Sequence, residues 1–212
     1  MRLLGIVPLF AVSSLLYGNT VNNESVIGDL SNNWAAPTSL SFTLGSNQVL
    51  GSLVRLASTS PDDKDYFTFA VPAGNQILAI NVLPGTVAGG AGGVSFFGIA
   101  SGTSVLDPST TPNTLAASLL GYTLYGAADV GSSILGRLAT SNASTPAAQG
   151  FGVLGPGNYT IWIQEGATGT FNYGFDILIG TPEPATWFLS CASLAAIALL
   201  RQRRRKQNSS LQ

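Results

Sequence analysis

Three aspartates that lie close together in the sequence could bind a metal ion. Asp62, Asp63 and Asp65 stand just before an aromatic run that begins at Tyr66. Carboxylate oxygens at a turn are ligands that Ca²⁺ prefers, which makes these side chains calcium candidates. However, Lys64 stands among them, and the twelve-residue calcium-loop pattern is missing. We therefore expect a solvated turn, no required metal and no cofactor, so that EDTA should lower the melting temperature by no more than about 5 °C.

The histidine and cysteine content of the chain excludes the common forms of nucleophilic catalysis. The chain has no histidine, and its single cysteine, Cys191, lies in an apolar run near the C-terminus. Ser-His-Asp sites, Cys-His sites and histidine-bound zinc are therefore excluded. A carboxylate pair for glycoside hydrolysis, using Glu165 and an aspartate, stays open, but nothing in the sequence positions the pair. We expect no catalytic residues and no enzymatic activity.

Aromatic side chains could bind carbohydrates without catalysis by stacking on sugar rings. Trp162 lies on the opposite side of a predicted strand from Tyr159, Ile161 and Ile163. If those three residues face the core, Trp162 faces outward or toward an edge, where it or Trp34 could bind a glycan. Partial burial of Trp162 under a loop is the interpretation that we favour.

Charged residues are sparse and unevenly distributed. Only 9% of the residues are charged, compared with roughly 25% in ordinary soluble domains. The stretch 19–181 has three basic and nine acidic residues, a net charge of −6, whereas five basic residues follow within 201–206. Binding to phosphate backbones needs clustered lysine and arginine, so we exclude nucleic acid as a partner of the domain.

The N-terminus has the pattern of a secretory signal peptide. Arg2 precedes a fourteen-residue apolar stretch, 3–16, which is too short to span a membrane. Gly18 is the best small residue for cleavage. We assign residues 1–18 to a signal peptide and residues 19–37 to an N-terminal segment.

The C-terminus carries an apolar segment followed directly by a basic cluster. Sixteen uncharged residues, 185–200, would form a helix of roughly 24 Å, which is shorter than the ~30 Å hydrocarbon core of a bilayer. Translocating each basic group would cost about 2.5–3.5 kcal/mol, so the cluster should stay in the cytoplasm. The basic groups that orient this marginal single-pass transmembrane helix are Arg201, Arg203, Arg204, Arg205 and Lys206.

Two prolines flank an acid just before this segment, in Pro182-Glu183-Pro184. The prolines force an extended backbone that a processing enzyme could grip. The order of motif, apolar helix and basic end resembles the PEP-CTERM sorting signal of Gram-negative bacteria, here residues 181–206 before a polar tail, 207–212. The resemblance implies cleavage by an exosortase, transient residence in the inner membrane, and release to the cell surface or exterior in association with exopolysaccharide.

Between the termini, the sequence predicts an all-β domain over residues 38–180. Apolar and polar residues alternate in short runs separated by glycine and proline turns. No amphipathic helix is evident, and the stretch 126–150 is predicted to be loop. Eight runs predict an antiparallel, two-sheet β-sandwich. The runs are 39–44, 48–56, 66–71, 76–82, 93–99, 119–125, 158–164 and 171–179.

The run DDKDYFTFAVPAGNQILAINV, 62–82, resembles the opening of the bacterial pre-peptidase C-terminal domain, a jelly-roll-like β-sandwich. Segments 155–164 and 172–179 resemble its late strands, whereas 88–150 departs from the family pattern. The resemblance implies an accessory or interaction module without catalysis of its own. We therefore expect a non-catalytic exported surface or extracellular-matrix protein. The alternative is a carbohydrate-binding module or a weakly glycan-active enzyme on the cell surface.

Overall fold

The computed structural model of the chain describes residues 18–56 and 63–182. The chain divides into two compact units, Met1–Gly180 and Thr181–Gln212. The described part of the first unit is built mainly from nine β-strands, with three short α-helices. The strands are β1 Asn19–Asn23, β2 Thr38–Ser39, β3 Gly45–Arg55, β4 Lys64–Val71, β5 Gln76–Val82, β6 Val94–Ser101, β7 Gly121–Gly126, β8 Gly157–Gln164 and β9 Gly169–Gly180. The helices are α1 Glu24–Ile27, α2 Pro112–Ser118 and α3 Leu135–Ala139.

The strands form two sheets, which confirms the predicted β class. One sheet has the order β1-β3-β9-β5, and the other has the order β2-β4-β8-β6-β7. The prediction that all pairs are antiparallel is wrong at one edge of each sheet, because β1 pairs with β3 and β2 pairs with β4 in parallel. Both parallel strands come from the N-terminal part of the chain and lie beside strands that already have an antiparallel partner.

A single large core lies between the two sheets, as in a β-sandwich. Alternate residues of β9 point into it, because successive side chains of a strand face opposite sides. Phe175 of β9 has no exposed surface, and its ring lies 4.7 Å from that of Phe97 and 5.0 Å from that of Tyr125, both in the other sheet. These aromatic contacts tie the sheets together through the hydrophobic effect.

The link between β4 and β5 carries the chain from one sheet to the other. Pro72 fixes the backbone at its start, and the N–H of Asn75 donates to the carbonyl oxygen of Pro72 at 3.1 Å. Gly74 takes a φ of 78°, a left-handed conformation that glycine adopts at little cost. This link is therefore one of the glycine and proline turns that the sequence predicts between strands.

The boundary predicted at residue 38 is wrong, because the segment 19–37 is part of the fold. Strand β1 pairs with β3, and Leu30 is 2% exposed within the main core. The predicted strand 39–44 is also mostly absent, since β2 ends at Ser39. Beyond it, Phe42 stacks on Phe69 at 4.2 Å, so the segment packs through side chains without a strand ladder.

The predicted loop 126–150 is instead partly helical and partly buried. It contains α3, and Ile134 and Leu138 reach the main core with 1% and 0% exposure. Helix α2 also contradicts the expected absence of helices, and Pro112 occupies its first turn, where proline is tolerated. Leu115 of α2 packs in a second, smaller cluster that also contains Trp162.

Several predicted features lie outside the described residues: the signal peptide before Gly18, Asp62, and everything from Glu183 onward, including the apolar segment 185–200 and the basic cluster. None of the helices within residues 18–56 and 63–182 has the length and apolar content that a membrane crossing requires.

Candidate functional site

Three carboxylates from two separate parts of the chain converge at one place in the described structure. One oxygen from each of Glu24, Asp29 and Asp65 lies within 4.8 Å of the other two. Glu24 begins α1 and Asp29 follows it, so the pairing of β1 with β3 brings both acids to this point. Asp65 comes from β4, in the other sheet. We call these three residues the acidic site.

Helix α1 is oriented by its cap and by Glu24. The side-chain oxygen of Asn23 accepts a hydrogen bond from the N–H of Ser25 at 3.2 Å, as at a typical helix start. Glu24 Oε2 accepts from the N–H of Ser52 on β3 at 2.7 Å. Glu24 Oε1 accepts from the N–H of Leu30 at 3.3 Å and from the Tyr173 hydroxyl at 3.2 Å. The Glu24 carboxylate is therefore fixed from three directions.

Asp65 is the most unusual member of the acidic site. It lies on the face of β4 that also carries Phe67 and Phe69, which point into the main core, and it has no exposed surface. Neither carboxylate oxygen has a hydrogen-bond partner of normal length and angle among the described residues. The Tyr173 hydroxyl lies close enough to act on both Asp65 and Glu24, but its single proton can serve only one of them at a time, and its 3.2 Å contact is with Glu24. A buried carboxyl without a donor is costly unless it is protonated or paired with a cation.

The electrostatic environment of the site opposes ionisation. Burial, followed by the charge of Glu24, raises the pKa of Asp65 to about 9, and Asp63 and Asp29 act in the same direction. Burial also raises the pKa of Glu24, with a contribution from Asp29. For Asp29, burial and the charge of Asp63 raise the pKa. Without a cation, at least one proton is therefore held in this group of carboxyls at neutral pH.

A cavity of about 500 Å³ lies beside the acidic site. Glu24, Asp29, Tyr173 and Asn172 are among the residues that line it. Its floor includes Gly51, which occupies a core-facing position of β3 between Val49 and Leu53. A methyl group at Gly51 would come within 2.6 Å of Glu24 Cδ and would also overlap the Tyr173 hydroxyl. The missing side chain thus makes room for both groups.

Replacing Gly51 with alanine should disturb the site and destabilise the protein. The added methyl group has to displace Glu24 or Tyr173, and overpacking of this kind costs about 1–3 kcal/mol. Gly136 in α3 is the matched control, since a methyl group there meets nothing within 4 Å and should stabilise the helix by about 0.5–1 kcal/mol. Urea denaturation of both variants checks the prediction, and equal effects at the two positions would contradict it.

Only part of the predicted aspartate turn belongs to the acidic site. Asp62 is outside the described residues, and Lys64 lies beside Trp34 and Tyr66 around a different hollow. Asp63 Oδ2 accepts from the N–H of Val54 at 2.7 Å, while no described residue bonds its buried Oδ1. The three neighbours along the chain are therefore not a ligand set by themselves. Sequence analysis missed Glu24 and Asp29 because nothing in their local sequence links them to Asp65.

Glu165, the carboxylate considered for glycoside hydrolysis, has a structural role. It is 3% exposed, and Oε2 accepts from the Ser95 hydroxyl at 2.6 Å and from the N–H of Gly89 at 2.8 Å, while Oε1 accepts from the N–H of Ala167 at 2.9 Å. Burial opposes its ionisation, but these hydrogen bonds outweigh burial and lower the pKa of the Glu165 carboxyl. The side chain therefore ties three segments together as an anion.

Trp162 is buried, in agreement with the interpretation that we favoured, although part of its cover is helix α2 and not a loop. Its side chain is 5% exposed and lies on the opposite face of β8 from Tyr159, Ile161 and Ile163, as the alternation predicts. Its ring is 4.6 Å from that of Phe96 and 5.9 Å from that of Tyr66. Leu115 and Leu119 pack against it, and together they line an apolar hollow of about 230 Å³ that offers a sugar almost no polar surface.

Trp34, the other candidate for sugar stacking, is half-buried. It lines a hollow of about 310 Å³ together with Asn32, Lys64 and Asp107. This hollow combines an aromatic ring with polar groups, whereas the surroundings of Trp162 are apolar.

Of the predicted sorting motif, only Pro182 is among the described residues, two residues after β9 ends at Gly180. Comparison of the chain with protein-family models, curated proteins and solved structures finds no significant match.

Proposed function

We propose that this chain is an exported, non-catalytic surface or extracellular-matrix protein whose C-terminal tail is recognised and removed by an exosortase-type enzyme. The order of Pro182-Glu183-Pro184, the apolar segment 185–200 and the basic cluster carries the proposal. A helix of this length is a marginal anchor, and cationic charge alone sets its orientation. Such a segment suits brief retention in the inner membrane followed by cleavage and association with exopolysaccharide.

The position of the last strand supports removal of the tail. Strand β9 ends at Gly180, and the unit that contains it ends there too. Cleavage near Glu183 therefore removes no residue of a described strand. At the other end, β1 begins at Asn19, directly after the proposed signal-peptide cleavage at Gly18. Both cuts would leave the β-sandwich whole, and we propose that this sandwich is jelly-roll-like and similar to the pre-peptidase C-terminal domain.

The composition of the domain supports a non-catalytic role. Histidine is absent from the whole chain, and Cys191 lies in the tail that is removed. Glu165 is committed to three hydrogen-bond donors. The carbohydrate-binding alternative now depends on Trp34, and a glycan-array signal that disappears in Trp34→Ala would favour it.

Membrane retention tests the sorting proposal. The full chain is produced in a bacterium with an exosortase, once unchanged and once with Pro182, Glu183 and Pro184 all replaced by alanine. We expect the unchanged protein outside the cell and the triple variant held in the inner membrane, because the enzyme loses its recognition sequence. Replacing Ser209 and Ser210 with alanine is the control and should change nothing. Equal release of all three proteins would refute the proposal.

A further inference from the structure

We propose that Glu24, Asp29 and Asp65 bind a calcium ion that links the N-terminal segment to strand β4. This inference is independent of the sorting proposal, because it concerns the folded domain and not the tail. It replaces the expectation, drawn from the sequence, that no ion is required. That expectation considered only acids that are neighbours along the chain, whereas the acidic site combines Glu24 and Asp29 of the N-terminal segment with Asp65 of β4.

The spacing of the carboxylates fits a single ion. Calcium–oxygen distances are about 2.3–2.6 Å, so two oxygens on opposite sides of one ion lie about 4.6–5.2 Å apart. The three oxygens of the acidic site are all within 4.8 Å of one another. One ion can therefore contact all three residues without rearrangement of the backbone.

The buried carboxylate of Asp65 is the independent sign of a ligand. Its side chain has no exposed surface, and neither carboxylate oxygen has a hydrogen-bond partner of normal length and angle among the described residues. The nearby Tyr173 hydroxyl, which could donate to it, contacts Glu24 at 3.2 Å and has a single proton for the two carboxyls. The charges that act on it most strongly are the carboxylates of Glu24, Asp63 and Asp29, all of the same sign. A divalent cation would supply the missing partner for Asp65 and neutralise its neighbours at the same time.

The surroundings favour calcium among the common ions. The donors are carboxylate oxygens, and the chain has no histidine and no cysteine in this domain, so zinc and copper lack the ligands that they prefer. Calcium takes six to eight oxygen ligands in flexible geometry, whereas magnesium needs near-ideal octahedral geometry and seldom uses an all-protein cage. The adjoining cavity, lined by Glu24 and Asp29, has room for the waters that would complete the coordination.

Calorimetric titration of the full-length chain in detergent with CaCl₂ at pH 8, together with thermal unfolding, tests the site. We expect saturable binding with a Kd of about 10⁻⁴ M or lower. Calcium at 5 mM should raise the melting temperature by about 5 °C or more relative to EDTA. Magnesium at 5 mM should give less than half of this shift. No saturable binding up to 5 mM, or an equal shift with magnesium, would overturn the proposal.

Three variants locate the ion. Asp65→Asn and Asp29→Asn should each weaken calcium binding at least 10-fold, because each removes a charged ligand. Asp29 is exposed, so its replacement tests the site even if Asp65→Asn fails to fold. Asp107→Asn is the control, since Asp107 lies in another turn, where it accepts from the N–H of Ser109, and it should bind calcium like the unchanged protein. If Asp107→Asn and Asp29→Asn weakened binding equally, the ion would not be at the acidic site.

Discussion

Replacing Phe175 with alanine is expected to lower the free energy of unfolding by about 3–5 kcal/mol. The side chain is fully buried on β9, between β3 and β5. Its ring contacts Phe97 and Tyr125 of the opposite sheet, so truncation opens a cavity where the two sheets meet. Since domains are stable by only about 5–15 kcal/mol, a loss of this size is a large share of the total stability.

Urea denaturation followed by circular dichroism measures this loss. Phe171→Ala is the matched control, because it makes the same exchange on the same strand at a half-buried position. Its loss should be less than half of that at Phe175. Similar losses at the two positions would show that the aromatic contacts between the sheets do not hold the sandwich together.

The acidic site should make the metal-free protein less stable as the pH rises. The folded chain keeps the Asp65 proton up to a pKa of about 9, whereas the unfolded chain releases it near the ordinary value of 3.8. Between these values unfolding releases a proton, so higher pH favours the unfolded state. One such group changes the free energy of unfolding by up to about 1.4 kcal/mol per pH unit. The raised pKa values of Glu24 and Asp29 act in the same direction.

Urea denaturation in EDTA between pH 5 and pH 8 checks this dependence. We expect stability to fall steadily over the interval in the unchanged protein. Asp65→Asn should flatten the dependence and be more stable than the unchanged protein at pH 8, because the buried charge is gone. The groups that face Asp65 are Glu24, Asp29, Asp63 and Tyr173, and all remain in that variant. A slope that is the same with and without Asp65 would contradict the structure of the site.

Most of the strands could be predicted because each one has its own local pattern. Strand β5 was predicted at 76–82 and is observed at Gln76–Val82, although a register shift between Ile77 and Ala79 interrupts the alternation, so that Ile77, Ile80 and Val82 are the buried residues. Strand β1 has the polar sequence Asn-Thr-Val-Asn-Asn, which contains no such signal. It is a strand because β3 offers it an edge, and that is a tertiary effect that no local pattern records.

The acidic site shows that local sequence patterns are equally limited in predicting functional sites. The cluster Asp62, Asp63 and Asp65 is visible in the sequence, but only the fold shows that Asp65 turns toward Glu24 and Asp29. Likewise, alternation correctly placed Trp162 on the outer face of its sheet, whereas the cover over it comes from α2, which has no clear periodicity. Local sequence therefore identifies faces and turns, while the contacts that assemble sites depend on the arrangement of the strands.

Intact-mass spectrometry of the protein recovered from the cell exterior tests the central claim most directly. The protein should be isolated from a bacterium that contains an exosortase. We expect one mass that corresponds to a chain from about residue 19 to about residue 183, without the apolar segment and the basic cluster. A mass that still includes Arg203, Arg204, Arg205 and Lys206 in that bacterium would contradict removal of the tail by the exosortase.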